Sequence, residues 1–279
     1  MRFSGPALLA RVAVYAVLGV AALAMAFPFY WMVVTTIRPA AEVYSVALGL
    51  VPGTVSLASY RKLLADPQLP VVRFFLNSVV LSVGATVVNV VTAALAAFVL
   101  SRRRVPGGRP CYYLILATMM VPGEVVLIGL FQVVNALSLV DSYLGMILPL
   151  AVNAVNFLIV YNYMLGLPRE VDEAAMIDGA RAWQVLWHVA VPLARPALLS
   201  ATLLAFISAW QNFTIPYLLT QSNAMYPLAV GALFTESTLM ASKQETLTLA
   251  TILTLPTLVV FVLTQRWVFS GITTGATKG

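Results

Sequence analysis

Six stretches of the chain stay apolar for the length of a membrane-crossing helix: 12–37, 74–100, 111–135, 143–166, 197–220 and 246–265. Five carry no charged residue, and the third carries only Glu124. A bilayer core is spanned by about 20 consecutive apolar residues in a helix, the form in which every backbone polar group bonds within its own segment. The pattern predicts an all-α, polytopic membrane protein whose six spans make a single transmembrane domain over residues 1–279. Composition points the same way. The chain is 61% hydrophobic and 9% charged, against roughly 25% charged in an ordinary soluble domain.

The basic residues set an expected orientation, because lysine and arginine gather on the cytoplasmic side of short loops. With both termini inside, the cytoplasmic set is Arg2, Arg11, Arg102, Arg103, Arg104, Arg109, Arg169, Arg181, Arg195, Arg266 and Lys278, and the outer set is Arg38, Arg61, Lys62, Arg73 and Lys243. The inverted arrangement would carry Arg102-Arg103-Arg104 to the outer face, so the N-in, C-in form is preferred. The net charge of +6 is then a matter of membrane anchoring, spread over several flanking segments, and it calls for no nucleic-acid partner. Cys111 and His188 are each the single residue of their kind, which leaves no internal disulfide and no cluster of Cys and His ligands for a metal. Ala24-Met25-Ala26 resembles a signal-cleavage site, but the apolar stretch continues through Phe27, Trp31 and Val34 and reads as a retained anchor.

Two segments outside the spans are long. The outer one, 38–73, is punctuated by Pro39, Pro52-Gly53, Pro67 and Pro70; Ser56 is placed to cap a short helix with an apolar face of Leu57, Tyr60, Leu63 and Leu64. The cytoplasmic one, 167–195, holds four of the ten acidic residues. Pro168 suits a first helical position, Glu170, Asp172 and Glu173 fall where negative charge meets the positive end of a helix dipole, and Gly179 suits a left-handed stop. A helix over 168–178 follows. After it, Ala182, Val185, Leu186 and Val189 recur at helical spacing, and Pro192 and Pro196 mark the re-entry into span five.

Glu173-Ala174-Ala175, three residues, Gly179, nine residues, Val189 and then Val191-Pro192 resemble the EAA loop of permeases of binding-protein-dependent ABC importers, with valines where isoleucine and leucine are usual. The resemblance covers nearly the whole chain and points to the maltose-type carbohydrate branch. Phe27-Pro28-Phe29, Arg38-Pro39, Asn77-Ser78, Leu95-Ala96-Ala97-Phe98, Arg104-Val105-Pro106-Gly107, Met120-Val121-Pro122 and the tail from Gly271 to Gly279 are similar to that branch. It implies the type I importer permease fold, a multi-pass place in a bacterial or archaeal cytoplasmic membrane, and a carbohydrate, polyol or glycerol phosphate as solute. It also implies partners: a homologous second permease, two ATP-binding subunits and an extracytoplasmic solute-binding protein. Glu173, Ala174, Ala175, Asp178, Gly179 and Pro192 would couple to the ATPase. Small alanines let a backbone approach a partner groove closely, and Glu173 offers a carboxylate to a basic or amide group. No glycine-rich loop ending in Gly-Lys-Ser/Thr occurs in the chain, so ATP and Mg would be held by the partner subunits and no cofactor by this one.

For the solute path the sequence offers Glu124, the one acid within a span, and the patch Trp210, Gln211, Asn212 and Tyr217. Glu124 reads equally as a solute contact or as a structural hydrogen bond at the Pro122-Gly123 kink. The patch suits a sugar, since aromatic faces pack on C–H surfaces and amides bond hydroxyls; it also suits an interfacial aromatic belt. Trp210-Gln211-Asn212 departs from the Trp-Asn-acid usual in the family, which weakens any substrate preference drawn from it. The outer loop 220–245 contains Gln221, Ser222 and Asn223, which the resemblance suggests as contacts for the binding protein. The glycines of the tail suggest an extended segment beyond span six. Two other classes fit the sequence less well: an ion-coupled secondary transporter relaying protons through Glu124, disfavoured by the absence of a detectable repeat, and an intramembrane enzyme, for which His188 supplies no neighbouring nucleophile.

Overall fold

The computed structural model describes residues 5–43, 49–67, 69–103, 105–238 and 243–276, and every regular element among them is helical. Arg2, Arg104 and Lys278 lie outside the described residues, as do Thr277 and Gly279 of the tail motif. Apart from single turns at Ala40–Val43 and Gly123–Val126, the helices in chain order are α1 (Gly5–Thr36), α2 (Ala58–Ala65), α3 (Val71–Arg102), α4 (Gly108–Thr118), α5 (Leu127–Ala136), α6 (Tyr143–Leu150) and α7 (Ala154–Leu165). There follow α8 (Glu170–Ile177), α9 (Ala182–Leu193), α10 (Arg195–Trp210), α11 (Thr214–Leu219), α12 (Leu228–Thr238) and α13 (Lys243–Ala276).

Helices α1, α3 and α13 are each long and apolar enough to cross a bilayer unbroken. The other predicted spans are interrupted, which uninterrupted apolar runs did not suggest. In the third, α4 meets the segment Gly123–Ala136 at 99°, where Pro122 lacks an amide hydrogen and Gly123 relaxes the backbone. In the fourth, α6 and α7 meet at 49°, because Asn153 caps a fresh helix by accepting from the amides of Val155 and Asn156. The approach to the fifth bends by 80° between α9 and α10, where Pro196 disfavours continued helix at Arg195. Span five itself stops at Trp210 and resumes as α11. Two further expectations change. The loop over 220–245 contains α12, and the tail glycines Gly271 and Gly275 lie within α13 rather than in extended chain.

The chain forms two compact units. One comprises residues 1–70 and 234–254. In it α1 leaves large apolar side chains such as Tyr15, Leu23 and Met25 more than 70% exposed, as a helix apolar all round does when lipid or another chain is its solvent. Its α2 buries Leu63 and Ser59, while Leu57 and Leu64 of the expected apolar face are exposed. Ser59 shares a 2.6 Å hydrogen bond with Thr248, Lys62 pairs with Glu245, and the Gln244 amide donates to the carbonyls of Thr35 and Arg38. Ser56 accepts only from the Ala58 amide, at 3.3 Å, and the position before α2 is Leu57, without a side-chain cap.

The second unit, 71–233 with 255–279, holds the main core. Helix α3 packs lengthwise on α7 and α10 through Ala93, Ala97 and Ala201 together with Phe98, Phe157, Val160 and Met164. Small residues let helices approach where there is no water to drive them together, and polar groups add directed bonds. Here the Asn156 amide donates to Asn89 at 2.7 Å, and Asn89 and Thr92 in turn donate to the carbonyls of Leu150 and Ala151. Those carbonyls are the ones left open by the break between α6 and α7, so α3 supplies the partners that make the break tolerable inside a membrane.

Candidate functional site

The loop predicted to couple the chain to an ATPase lies at the Arg102 end of α3. Helix α8 starts two residues later than expected: Arg169 precedes it as cap, and Pro168 stands outside it. Asp178 ends it, and Gly179, at φ +87°, turns the chain in the left-handed region where glycine is favoured. The helix has two differently used sides. Glu173, Ala174, Asp178 and Gly179 are exposed, as is Ile177 at 86%. Facing inward, Asp172 is buried and Ala175 packs against the core with Ala180. Helix α9 continues the inner side with Val185, Leu186 and Ala190 buried; its winding widens to π over Leu186–Ala190, Val189 is half-buried and Pro192 is exposed.

A residue that the sequence marked only as a sidedness charge fastens this loop. The Arg102 side chain is 1% exposed, and its Nε lies 3.0 Å from Oδ2 of Asp172, whose own side chain is 10% exposed. Its terminal nitrogens donate to Oδ1 of Asp172 at 3.3 Å and to the carbonyls of Leu167 and Pro168 at 2.8 and 3.0 Å. One guanidinium thus ties the last turn of α3 to both the entry and the first turn of α8. Next to it, Arg103 lies over the Phe98 ring, 5.3 Å from its centroid, and donates to the sulfur of Met176. The legible hint was that Asp172 and Ala175, three positions apart, share one side of the helix, which sets a carboxylate beside a small apolar residue. His188 is exposed and its Nδ1 lies 3.1 Å from the Gln184 carbonyl, a local helix contact.

The interrupted spans border two cavities. One, of about 300 Å³, is lined by Asn89, Asn153, Asn156 and Ser208 among apolar neighbours. The second, of about 630 Å³, is lined by Thr118, Gly123 and Asn153, so that Asn153 borders both. Residues proposed from the sequence for a solute path stand elsewhere. Trp210 is 2% exposed, edge-on to Phe75 and stacked on Phe206, so it is packed among aromatic rings of the protein itself. Asn212, two residues before α11, accepts from the Ile215 amide, Gln211 is exposed, and Tyr217 is half exposed and stacked on Phe213. Glu124 is exposed in the turn Gly123–Val126 and lines neither cavity. Ser208, less than a turn before Trp210, lines the smaller cavity without a sign in the sequence, because a small hydroxyl in an apolar run carries little signal.

At the opposite end of α3, the segment 219–228 is held by side chains from three places. The Asn77 amide donates to the carbonyls of Ala224 and Tyr226, both at 2.9 Å, and its oxygen accepts from the Tyr143 hydroxyl. Ser78 accepts from the Leu228 amide, and Asp141 accepts from the amides of Gln221 and Ser222 and from the Ser222 hydroxyl. Asn77 and Arg102 stand twenty-five positions apart on α3, about 38 Å of helix and more than the roughly 30 Å hydrocarbon core. The two fastened loops therefore lie at opposite ends of α3, farther apart along it than a bilayer core is thick.

Residues 89–272 match the profile of the family described as binding-protein-dependent transport system inner membrane component. The chain belongs to that family. The permease is 32% identical over 257 residues to the trehalose/maltose transport system permease protein MalG of Thermococcus litoralis, covering 91% of each chain. It is 29% identical over 255 residues to the arabinooligosaccharides transport system permease protein AraQ of Bacillus subtilis, covering 91% of this chain and 90% of that one. A crystal structure of a bacterial ABC transporter that imports the acidic polysaccharide alginate contains a chain that superposes with a TM-score of 0.84 at 26% identity, covering 96% of this chain and 99% of that one. The protein is thus a multi-pass permease of the cytoplasmic membrane, working with an ATP-hydrolysing subunit and a solute-binding protein, and the proton-relay reading of Glu124 gives way to it.

Proposed function

We propose that this permease is one of two homologous membrane halves of an ATP-driven importer for a carbohydrate-like solute, with both termini and α8 on the cytoplasmic side. Two ATP-binding subunits hold ATP and Mg, and the exposed side of α8, with Glu173, Ala174, Asp178 and Gly179, docks in one of them. Pro192 keeps the following helix rigid at its turn into span five. The observation that carries this reading is the fastening of α8 by Arg102 and Asp172: a helix that is free on one side and bolted to the end of a spanning helix on the other can pass a push into the membrane. Ala175, Val185 and Leu186 spread that push over α7 and α10 through the shared core. Non-helical backbone at membrane depth is kept where it lines a cavity, and so the breaks at 119–126 and 151–153 become the moving lining of the path.

The relatives named for arabinooligosaccharides and for trehalose and maltose support a polyhydroxylated solute. Asn153 and Ser208 supply the kind of neutral donors and acceptors that bond hydroxyls. Gln221, Ser222 and Asn223, at the other face, meet the binding protein. The deciding experiment places a cysteine at Ala174 of the assembled transporter and cross-links it in cells. Capture of a nucleotide-hydrolysing subunit is expected; labelling of that cysteine by an impermeant reagent from outside the cell would overturn the orientation and the coupling role together.

A further inference from the structure

We propose that Asp141 is a positioning residue that holds the outer segment 219–228 in one preformed shape for docking the solute-binding protein, an inference that rests on the outer placement of that segment proposed above. The Asp141 carboxylate takes three donors from two successive residues: the Gln221 amide at 2.9 Å, the Ser222 amide at 3.1 Å and the Ser222 hydroxyl at 2.6 Å. Its own amide donates to the Leu219 carbonyl at 2.7 Å, so backbone and side chain grip the same stretch. The residue is fixed in turn. Asp141 has φ +59° and Ser138 φ +56°, a conformation few L-residues adopt but one that aspartate tolerates. Ser142 donates to the Leu139 carbonyl and accepts from the Gly145 amide, and a Cβ at Gly145 would collide with the Leu139 carbonyl oxygen. The loop that carries Asp141 is therefore packed closely against the start of α6.

Gripped at Leu219, Gln221 and Ser222 by Asp141 and at Ala224 and Tyr226 by Asn77, the segment leaves Gln221 and Asn223 exposed between the two anchors. A loop ordered before contact does not pay that ordering cost on binding, so its effect appears in affinity for the partner rather than in turnover once the partner is seated. Asp141 touches neither cavity and lies at the far end of α3 from α8.

The test uses the complete transporter reconstituted in proteoliposomes, with ATP hydrolysis measured against the concentration of solute-loaded binding protein. Asp141→Ala is expected to raise the half-saturating concentration by roughly tenfold, leaving the maximal and unstimulated rates unchanged. Asp141→Asn, which keeps an acceptor, is expected to give a smaller rise, and it carries the test should Asp141→Ala fail to assemble. Unchanged half-saturation in both, or a parallel fall of maximal and unstimulated rates, would overturn the positioning role. Asn223→Trp separates the two levels of the argument: if it weakens half-saturation while the Asp141 variants do not, only the positioning inference is lost, and if neither does, the outer contact itself is lost.

Discussion

Replacing Asp172 with alanine strands a guanidinium inside the protein. The Arg102 side chain is 1% exposed, and after the substitution it retains only the carbonyls of Leu167 and Pro168. Breaking a buried ion pair on one side costs about 3–5 kcal/mol, because the surviving charge is left without compensation. Two carbonyl acceptors remain here, which argues for the lower end, about 3 kcal/mol. That energy is the difference between α8 seated on α3 and α8 detached, so the detached population should rise by about two orders of magnitude. Hydrogen exchange reads it directly. In Asp172→Ala the amides of α8 are expected to lose about a hundredfold of protection, while those in the middle of α3 are unchanged. In the assembled transporter the same variant should hydrolyse ATP with little response to the loaded binding protein. Removing both charges, as Arg102→Met with Asp172→Leu, takes away the stranded ion, and its exchange should fall between the single variant and the parent. If Asp172→Ala exchanges at the parental rate in α8, the ion pair does not hold the helix, and the coupling argument built on it fails.

Three further outcomes follow from the geometry. A Cβ at Gly179 would meet nothing within 4 Å, so a substitution there is opposed by the φ of +87° and not by crowding; Gly179→Val should cost about 1–3 kcal/mol in the loop and abolish transport with normal membrane insertion, while Gly179→Asn retains most activity. Ser208→Leu, which fills the cavity beside Asn153, should reduce solute uptake severely with basal ATP hydrolysis intact, whereas Trp210→Ala should instead lower thermal stability by about 3–5 kcal/mol, readable as a fall in Tm of the detergent-solubilised protein. Burial works to raise the Asp141 carboxyl, but the Ser222 hydroxyl and the amides of Gln221 and Ser222 outweigh it and hold the group below its ordinary value; its contribution is complete above the ordinary aspartate value of about 3.9 and is lost only as pH falls through the depressed one, so the ratio of half-saturating concentrations between Asp141→Asn and the parent should stay constant from about pH 5 to 7.5.

What could be read from the sequence, and what could not, divides by the distance over which the deciding interaction acts. Helices α1, α3 and α13 were legible because the bilayer imposes its demand on every residue of a run, and α8 was legible because its acidic first turn and Gly179 act within a few positions. The breaks in spans three and four were hidden because lipid-facing composition continues straight through 119–122 and 151–153, with only Pro122-Gly123 and Asn153 as local signs. The break in span four persists because Asn89 and Thr92, about sixty positions away, satisfy the opened carbonyls at Leu150 and Ala151. Arg102 and Asp172 each looked complete alone, one as a sidedness charge and one as a dipole partner, and only the fold makes them a pair across seventy positions. The setting of Trp210 was half legible for the same reason: Phe206 stands one turn away in sequence, but the second ring against it, Phe75, comes from another helix. In a membrane protein the local pattern therefore tells where the chain is helical, while the pairs that make it a machine join residues whose separate roles already seem explained.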